Sequence, residues 1–203
     1  MKHSKKQILH LKNDKALKKV IDKVGPISAS KNTDLYFNLL RSIVSQQLSV
    51  KAAQTIWERF LKLFKGGYPL PKLVLKLDVE KMRACGLSYQ KAGYIKNIAQ
   101  FSIDETLDYE KLKLKSDEDL IEYLVQIKGV GRWTVEMILM FSLNRLDIFP
   151  NGDLGIQNGM IKLYKLKPKD KKHLFVLMEE ISNQWIPYRT LACKYIWRHK
   201  DGE

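Results

Sequence analysis

Cysteine is nearly absent from this chain: Cys85 and Cys193 are the only two in 203 residues. Two thiols so far apart cannot supply a zinc or iron–sulfur site alone, and in a reducing compartment they read as buried side chains. Long apolar runs are missing too, since no stretch approaches the roughly 18 uninterrupted apolar residues of a transmembrane helix. The opening MKHSKKQILHLKNDK is basic but lacks the apolar run of a signal peptide. The expectation is a soluble, cytoplasmic protein, nucleoid-associated if the cell is prokaryotic, with no membrane partner. Negative charge is also scarce: 22 Asp and Glu stand against 36 Lys and Arg, a formal net charge of +14. That balance favours a polyanionic partner, nucleic acid before an anionic membrane surface.

Strand alternation and internal repeats are equally hard to find, and the apolar spacing is helical nearly everywhere. ILHLKNDKALKKVIDKVG reads as one helix closed by Gly25-Pro26. TDLYFNLLRSIVSQQ, SVKAAQTIWERFLKLF and the short DVEKMRACG follow. Ser88 and Ser116 stand where N-caps belong, before SYQKAGYIKNIAQFSI and SDEDLIEYLVQI. RWTVEMILMFSL is too apolar for a surface, and DIFPNGD is a loop with Pro150 and Asn151-Gly152 as turn signals. LGIQNGMIKLYKL, KKHLFVLMEEISNQW and a last helix opened by Pro187 complete an all-α chain of about ten helices. Trp57 and Trp185 read as core residues.

Between two of these helices the chain places Gly129-Val130-Gly131. Each glycine costs roughly 1 kcal/mol against Ala in a helix interior, so helix building does not account for them. Helix, G-x-G turn and helix is a helix–hairpin–helix pattern, spanning about 116–143. Its glycines would let the backbone turn sharply and expose amides at the start of the second helix. An exposed helix N-terminus suits an anion, and beside a +14 charge a DNA phosphate is the natural one.

The residues around the glycines are more specific. IKGVGRWTVEMI and the FPNGDLGI that follows it resemble the helix–hairpin–helix, Gly/Pro-Asp superfamily of DNA glycosylases. The likeness is greatest to its alkylation-repair branch, DNA-3-methyladenine glycosylase II. RSIVSQQLSVKAAQTIWERF, CGLSYQKAGYIKNIA and WIPYRTLACKYIWR agree in chain order, so the resemblance runs from about Ile8 to Trp197. It implies one glycosylase domain over residues 1–203, built as two interleaved helical lobes that are not separable in sequence. The N-terminal helix would pack with the C-terminal ones, and double-stranded DNA would lie in the cleft.

The resemblance also implies roles. A damaged nucleotide must leave the stack before its glycosidic bond is accessible. Gln47 matches the family's wedge, with Gln46 and Leu48 beside it. Trp133 and Trp197 match the aromatic walls that hold an electron-poor alkylated base by stacking and cation–π attraction. Met137, one turn beyond Trp133, adds a soft thioether. Asp153 matches the catalytic aspartate, which stabilises the oxocarbenium-like sugar and helps direct a water. The bland alternative for Asp153, an N-cap on the helix it precedes, is compatible with that role. Asp147 is a rival carboxylate that does not match the motif.

Amides at Gly129, Gly131 and Trp133, with Lys128, would meet phosphate. The carbonyls of Val125, Ile127 and Val130 match those that hold a Na+ or K+ ion in the family. Bifunctional relatives carry a lysine where this chain has Trp133, which implies a monofunctional enzyme acting as a monomer on alkylated purines. The chain departs from some members in lacking the four iron–sulfur cysteines and room for an N-terminal β-sheet domain. The rivals are a non-catalytic lesion-binding DNA protein, a glycosylase for other damaged bases, and an RNA-binding accessory protein suggested by charge alone.

Overall fold

The structure, a computed structural model, describes residues 4–28, 33–105 and 107–201. Among them the regular elements are thirteen α-helices and one short 3-10 turn, with no strand. The all-α expectation stands. The helix count was low by three: two short helices, Pro71–Lys76 and Tyr109–Leu112, carry too few apolar positions for a period to show, and the N-terminal helix is two. No helix is long and apolar enough to cross a membrane.

The chain divides into two compact units. One unit is residues 32–138, and the other joins the chain's two ends, residues 1–31 and 139–203.

In the middle unit, α3 (Leu35–Ser45) and α4 (Val50–Leu61) are in contact and joined by the short SQQLS turn. Asp34 and Ser49 cap them, each side chain accepting an amide three residues on. Leu39, Leu40, Ile43 and Val44 of α3 are fully buried, as are Ile95 and Ile98 of α7 (Tyr89–Asp104) against which α3 packs. The short α5 (Pro71–Lys76) and α6 (Val79–Ala84) also lie on α7, while α8 (Tyr109–Leu112) and α9 (Asp117–Val125) lead to the hairpin. Phe37 meets Trp57 and Phe60 meets Phe64 edge-to-face, and Trp57 stacks on Phe60, in the same core. The expected Ser88 and Ser116 caps are present, accepting the amides of Lys91 and Asp119.

In the other unit, the expected single N-terminal helix is two: α1 (Lys5–Leu11) and α2 (Lys15–Val24). The break is Asp14, which caps α2 through the amides of Ala16 and Leu17. Its second oxygen accepts the Tyr164 hydroxyl at 2.6 Å and the Trp185 indole N–H at 3.0 Å. Continuing one helix through Asp14 would leave those two donors without that partner. Trp185 is fully buried there and Trp57 nearly so in its own unit, both as core.

The rest of this unit is α11 (Leu154–Tyr164), α12 (Lys171–Asn183) and α13 (Arg189–Asp201). Helix α13 packs on α2 and α11, so the chain's ends share one core. It begins two residues after Pro187, a small difference from expectation. Gly159 lets α11 approach α13, because a Cβ there would stand 2.3 Å from Cγ2 of Ile196. Helix α10 (Arg132–Phe141) carries the chain from the middle unit into this one.

Candidate functional site

Asp153 follows a Pro-Asn-Gly turn and starts α11. Its own amide donates to the Pro150 carbonyl at 3.0 Å, and the Gln157 side chain ties down the Asn151 carbonyl at 2.8 Å. The Asp153 Oδ1 accepts the Ile156 amide at 2.8 Å, so this carboxylate is an N-cap. The same oxygen accepts the Trp197 indole N–H at 2.9 Å. Capping and the tryptophan bond together set the plane of the carboxylate before any substrate arrives.

That contact depends on Gly155, which sequence reasoning passed over. A Cβ at 155 would lie 2.9 Å from both Asp153 Oδ1 and Trp197 Nε1. The signal was a glycine in the first turn of a helix, where none is needed to cap it. Phe141 was missed as well: its ring lies 5.8 Å from that of Trp197, tilted by 31°. On Phe141 rests the ammonium of Lys194, 5.0 Å from the ring centroid and donating to the Met140 carbonyl at 3.0 Å. Burial pulls the Lys194 ammonium down to about 8. Asp147, the rival carboxylate, is gripped by Arg189 through two bonds of 2.9 Å, Nε to Oδ1 and Nη2 to Oδ2. Such a bidentate fork is a structural clamp on the start of α13.

The other candidates lie in the middle unit, around the hairpin. The two glycines there serve different ends. Gly129 has φ of +103°, and a Cβ on it would stand 2.1 Å from Cγ of Tyr94, so both backbone and packing require glycine. Gly131 is not in the left-handed region, and nothing lies within 4 Å of where its Cβ would be. The expectation that both glycines make the turn is corrected: Gly129 makes it, and Gly131 leaves open space beside the first amides of α10. Lys128 is exposed, and its carbonyl accepts the Asn97 side-chain amide at 3.1 Å, which steadies the turn from α7. Trp133 and Met137 are half-buried, one helical turn apart on α10.

The SQQLS turn is bound to the same hairpin. Gln46 reaches the Gly129 carbonyl at 3.4 Å and the Thr134 hydroxyl at 3.3 Å through its side-chain amide. Gln47 and Leu48 are exposed. Gln47 has φ of +56°, a left-handed conformation that costs a non-glycine residue on the order of 1–3 kcal/mol. Lys91 of α7, another residue the sequence did not single out, donates to the carbonyls of Val44 and Gln46 at 2.8 and 2.7 Å. Burial lowers the pKa of this ammonium as well.

A helix–hairpin–helix turn, a Pro-bearing loop and an aspartate at the next helix N-terminus define the DNA-glycosylase class of helical fold. Residues 40–184 match the HhH-GPD superfamily of base excision DNA repair proteins, and the chain belongs to that family. It is 42% identical over 188 residues to DNA-3-methyladenine glycosylase 1 of Schizosaccharomyces pombe, covering 92% of this chain and 81% of that protein. A solved structure described as a 3-methyladenine DNA glycosylase of the same yeast in complex with abasic DNA superposes with a TM-score of 0.85. It is 40% identical and covers 95% of each chain. A DNA-3-methyladenine glycosidase from Bacillus halodurans gives a TM-score of 0.77 at 34% identity, over 96% of this chain and 88% of that one. These relatives place the chain in the alkylation-repair branch.

Proposed function

We propose that this protein is a monofunctional DNA glycosylase of the 3-methyladenine type, hydrolysing the N-glycosidic bond of alkylated purines in double-stranded DNA as a monomer. The observation that carries the reading is the Asp153 carboxylate, fixed by the Ile156 amide and the Trp197 indole. A fixed carboxylate can stabilise positive charge as it develops on the sugar without reorganising during the reaction. An alkylated purine such as 3-methyladenine or 7-methylguanine is already cationic and leaves without protonation, so no second carboxyl acid is required. That accords with Asp147 being held by Arg189.

Trp133, Met137 and Trp197 are the side chains we assign to the flipped base, through stacking and cation–π attraction worth roughly 0.5–2 kcal/mol. Gln47 is assigned to the vacated stack, with Leu48 beside it. The α10 amides at Gly131 and Trp133, with Gly129 and Lys128 in the turn, are assigned to a phosphate. Val125 ends α9, at the negative end of its dipole, and Ile127 and Val130 follow in the hairpin. The Ile127 oxygen already takes the Val130 amide at 2.9 Å, but a carbonyl has a second lone pair. The carbonyls of Val125, Ile127 and Val130 are assigned to a Na+ or K+ ion, which would add positive charge beside the phosphate. The reading as a monofunctional enzyme is supported by Trp133 standing in the place of a nucleophilic lysine.

The test is release of free base from methylated duplex DNA by wild type and Asp153→Asn, followed by chromatography. Wild type is expected to release 3-methyladenine, and the variant to be slower by about a hundredfold or more. If both bind the duplex and neither frees a base, the protein recognises lesions without excising them, or excises another damaged base.

A further inference from the structure

The strained turn between α3 and α4 does not explain its own shape. Gln47 is exposed, so no packing of its own side chain holds it at a positive φ. Such a conformation persists only where the surroundings over-determine it. Here the peptide groups on its N-terminal side are held from two directions. The Lys91 ammonium binds the carbonyls of Val44 and Gln46, closing the C-terminus of α3 in the way a cation suits a helix end. The Gln46 side chain crosses to the hairpin, at the Gly129 carbonyl and the Thr134 hydroxyl. Lys91 is half-buried, and desolvation opposes its charge.

We propose that Lys91 is a positioning residue for base flipping: with the Gln46 side chain, it locks the SQQLS turn so that Gln47 projects, and it couples that wedge to the phosphate-gripping hairpin. The inference rests on the assignment of Gln47 as the wedge. Lys91 touches neither base nor sugar in this account. Its contribution is to spare the loop an ordering cost at the moment of insertion, when pre-organisation is worth most. The effect belongs to lesions that must be extracted from a paired stack, because an unpaired lesion needs no wedge.

The experiment is single-turnover excision of 7-methylguanine from two DNAs, one with the lesion paired to cytosine and one with it in an unpaired bubble. Proteins compared are wild type, Lys91→Met, Lys91→Arg and Gln47→Ala, each with a thermal melt. Lys91→Met is expected to lose about tenfold or more on the paired lesion and less than about threefold on the bubble. Lys91→Arg, which keeps N–H donors at that point, should recover most of the loss. A folded Lys91→Met that falls equally on both DNAs, or on neither, overturns the proposal.

If Lys91→Met melts below the assay temperature, Thr134→Val removes the hydroxyl that Gln46 reaches. It should show the same preference for the bubble, and equal rates would again overturn the coupling. Gln47→Ala separates the two levels. If it leaves the paired rate intact, the wedge assignment itself is wrong. If it lowers that rate while Lys91→Met does not, only the role of Lys91 falls.

Discussion

Asp153 combines two jobs that are usually argued as alternatives. As an N-cap it belongs to the fold of α11, and as the carboxylate assigned to catalysis it gains a fixed orientation from that same capping bond. The indole of Trp197 adds a second fixed donor. Trp197→Phe should keep an aromatic face for the base while losing that donor. A hydrogen bond to a charged group of this kind is worth about 1.5–3 kcal/mol, so the single-turnover excision rate should fall roughly ten- to hundredfold. Affinity for abasic duplex should change by less than about threefold, since the donor acts on the carboxylate rather than on the DNA. Equal losses in rate and affinity would make Trp197 a DNA contact and nothing more. The aspartate was legible in the sequence, because a Pro-Asn-Gly turn before a helical period calls for a capping side chain. The indole bond was not, because it joins α11 to a residue one helix pair later, and periodicity says nothing about where an indole N–H points. Phe141 and Lys194 were missed for the same reason: their stack arises where α10 and α13 meet.

Among the elements, the hairpin shows how one pattern hides two functions. Gly129→Ala must both adopt a positive φ and drive a methyl group into the Tyr94 ring, and should cost about 2–4 kcal/mol in a denaturant titration. Gly131→Ala meets open space and should stay within about 1 kcal/mol of wild type. Its effect should appear instead in DNA affinity, because the added methyl stands beside the amides assigned to phosphate. A Gly131→Ala protein that binds duplex as wild type does would remove those amides from the interface. The sequence announced a tight turn through G-x-G. It could not say which glycine the protein needs and which a ligand would, because the answer lies in Tyr94, far back on α7. The SQQLS segment was singled out only through the family resemblance, and its anchors on α7 and the hairpin are long-range hydrogen bonds with no local signature. Helix α1–α2 is the converse: Asp14 looks like a surface residue inside a helical period until Tyr164 and Trp185 claim it.

For the whole molecule, the net charge of +14 makes a prediction independent of any single contact. If binding neutralises even about four phosphates, affinity for duplex should fall roughly a hundredfold between about 50 and about 200 mM salt. A salt-insensitive affinity, measured by fluorescence anisotropy on an abasic duplex, would remove DNA-backbone binding from the account. Composition, helical periodicity and the ordered motifs were local properties, each readable within one or two turns of chain. They were enough for the all-α class, the family and the places of the glycines, Trp133 and Asp153. Tertiary structure decided what no local pattern encodes. It joined the two ends of the chain in one unit around Asp14. It set Trp197 on Asp153 across the gap left by Gly155. And it held Gln46, the neighbour of the exposed, strained Gln47, from α7 and the hairpin. Those outcomes depend on directional bonds between residues distant in sequence, whose geometry exists only after the apolar faces have packed.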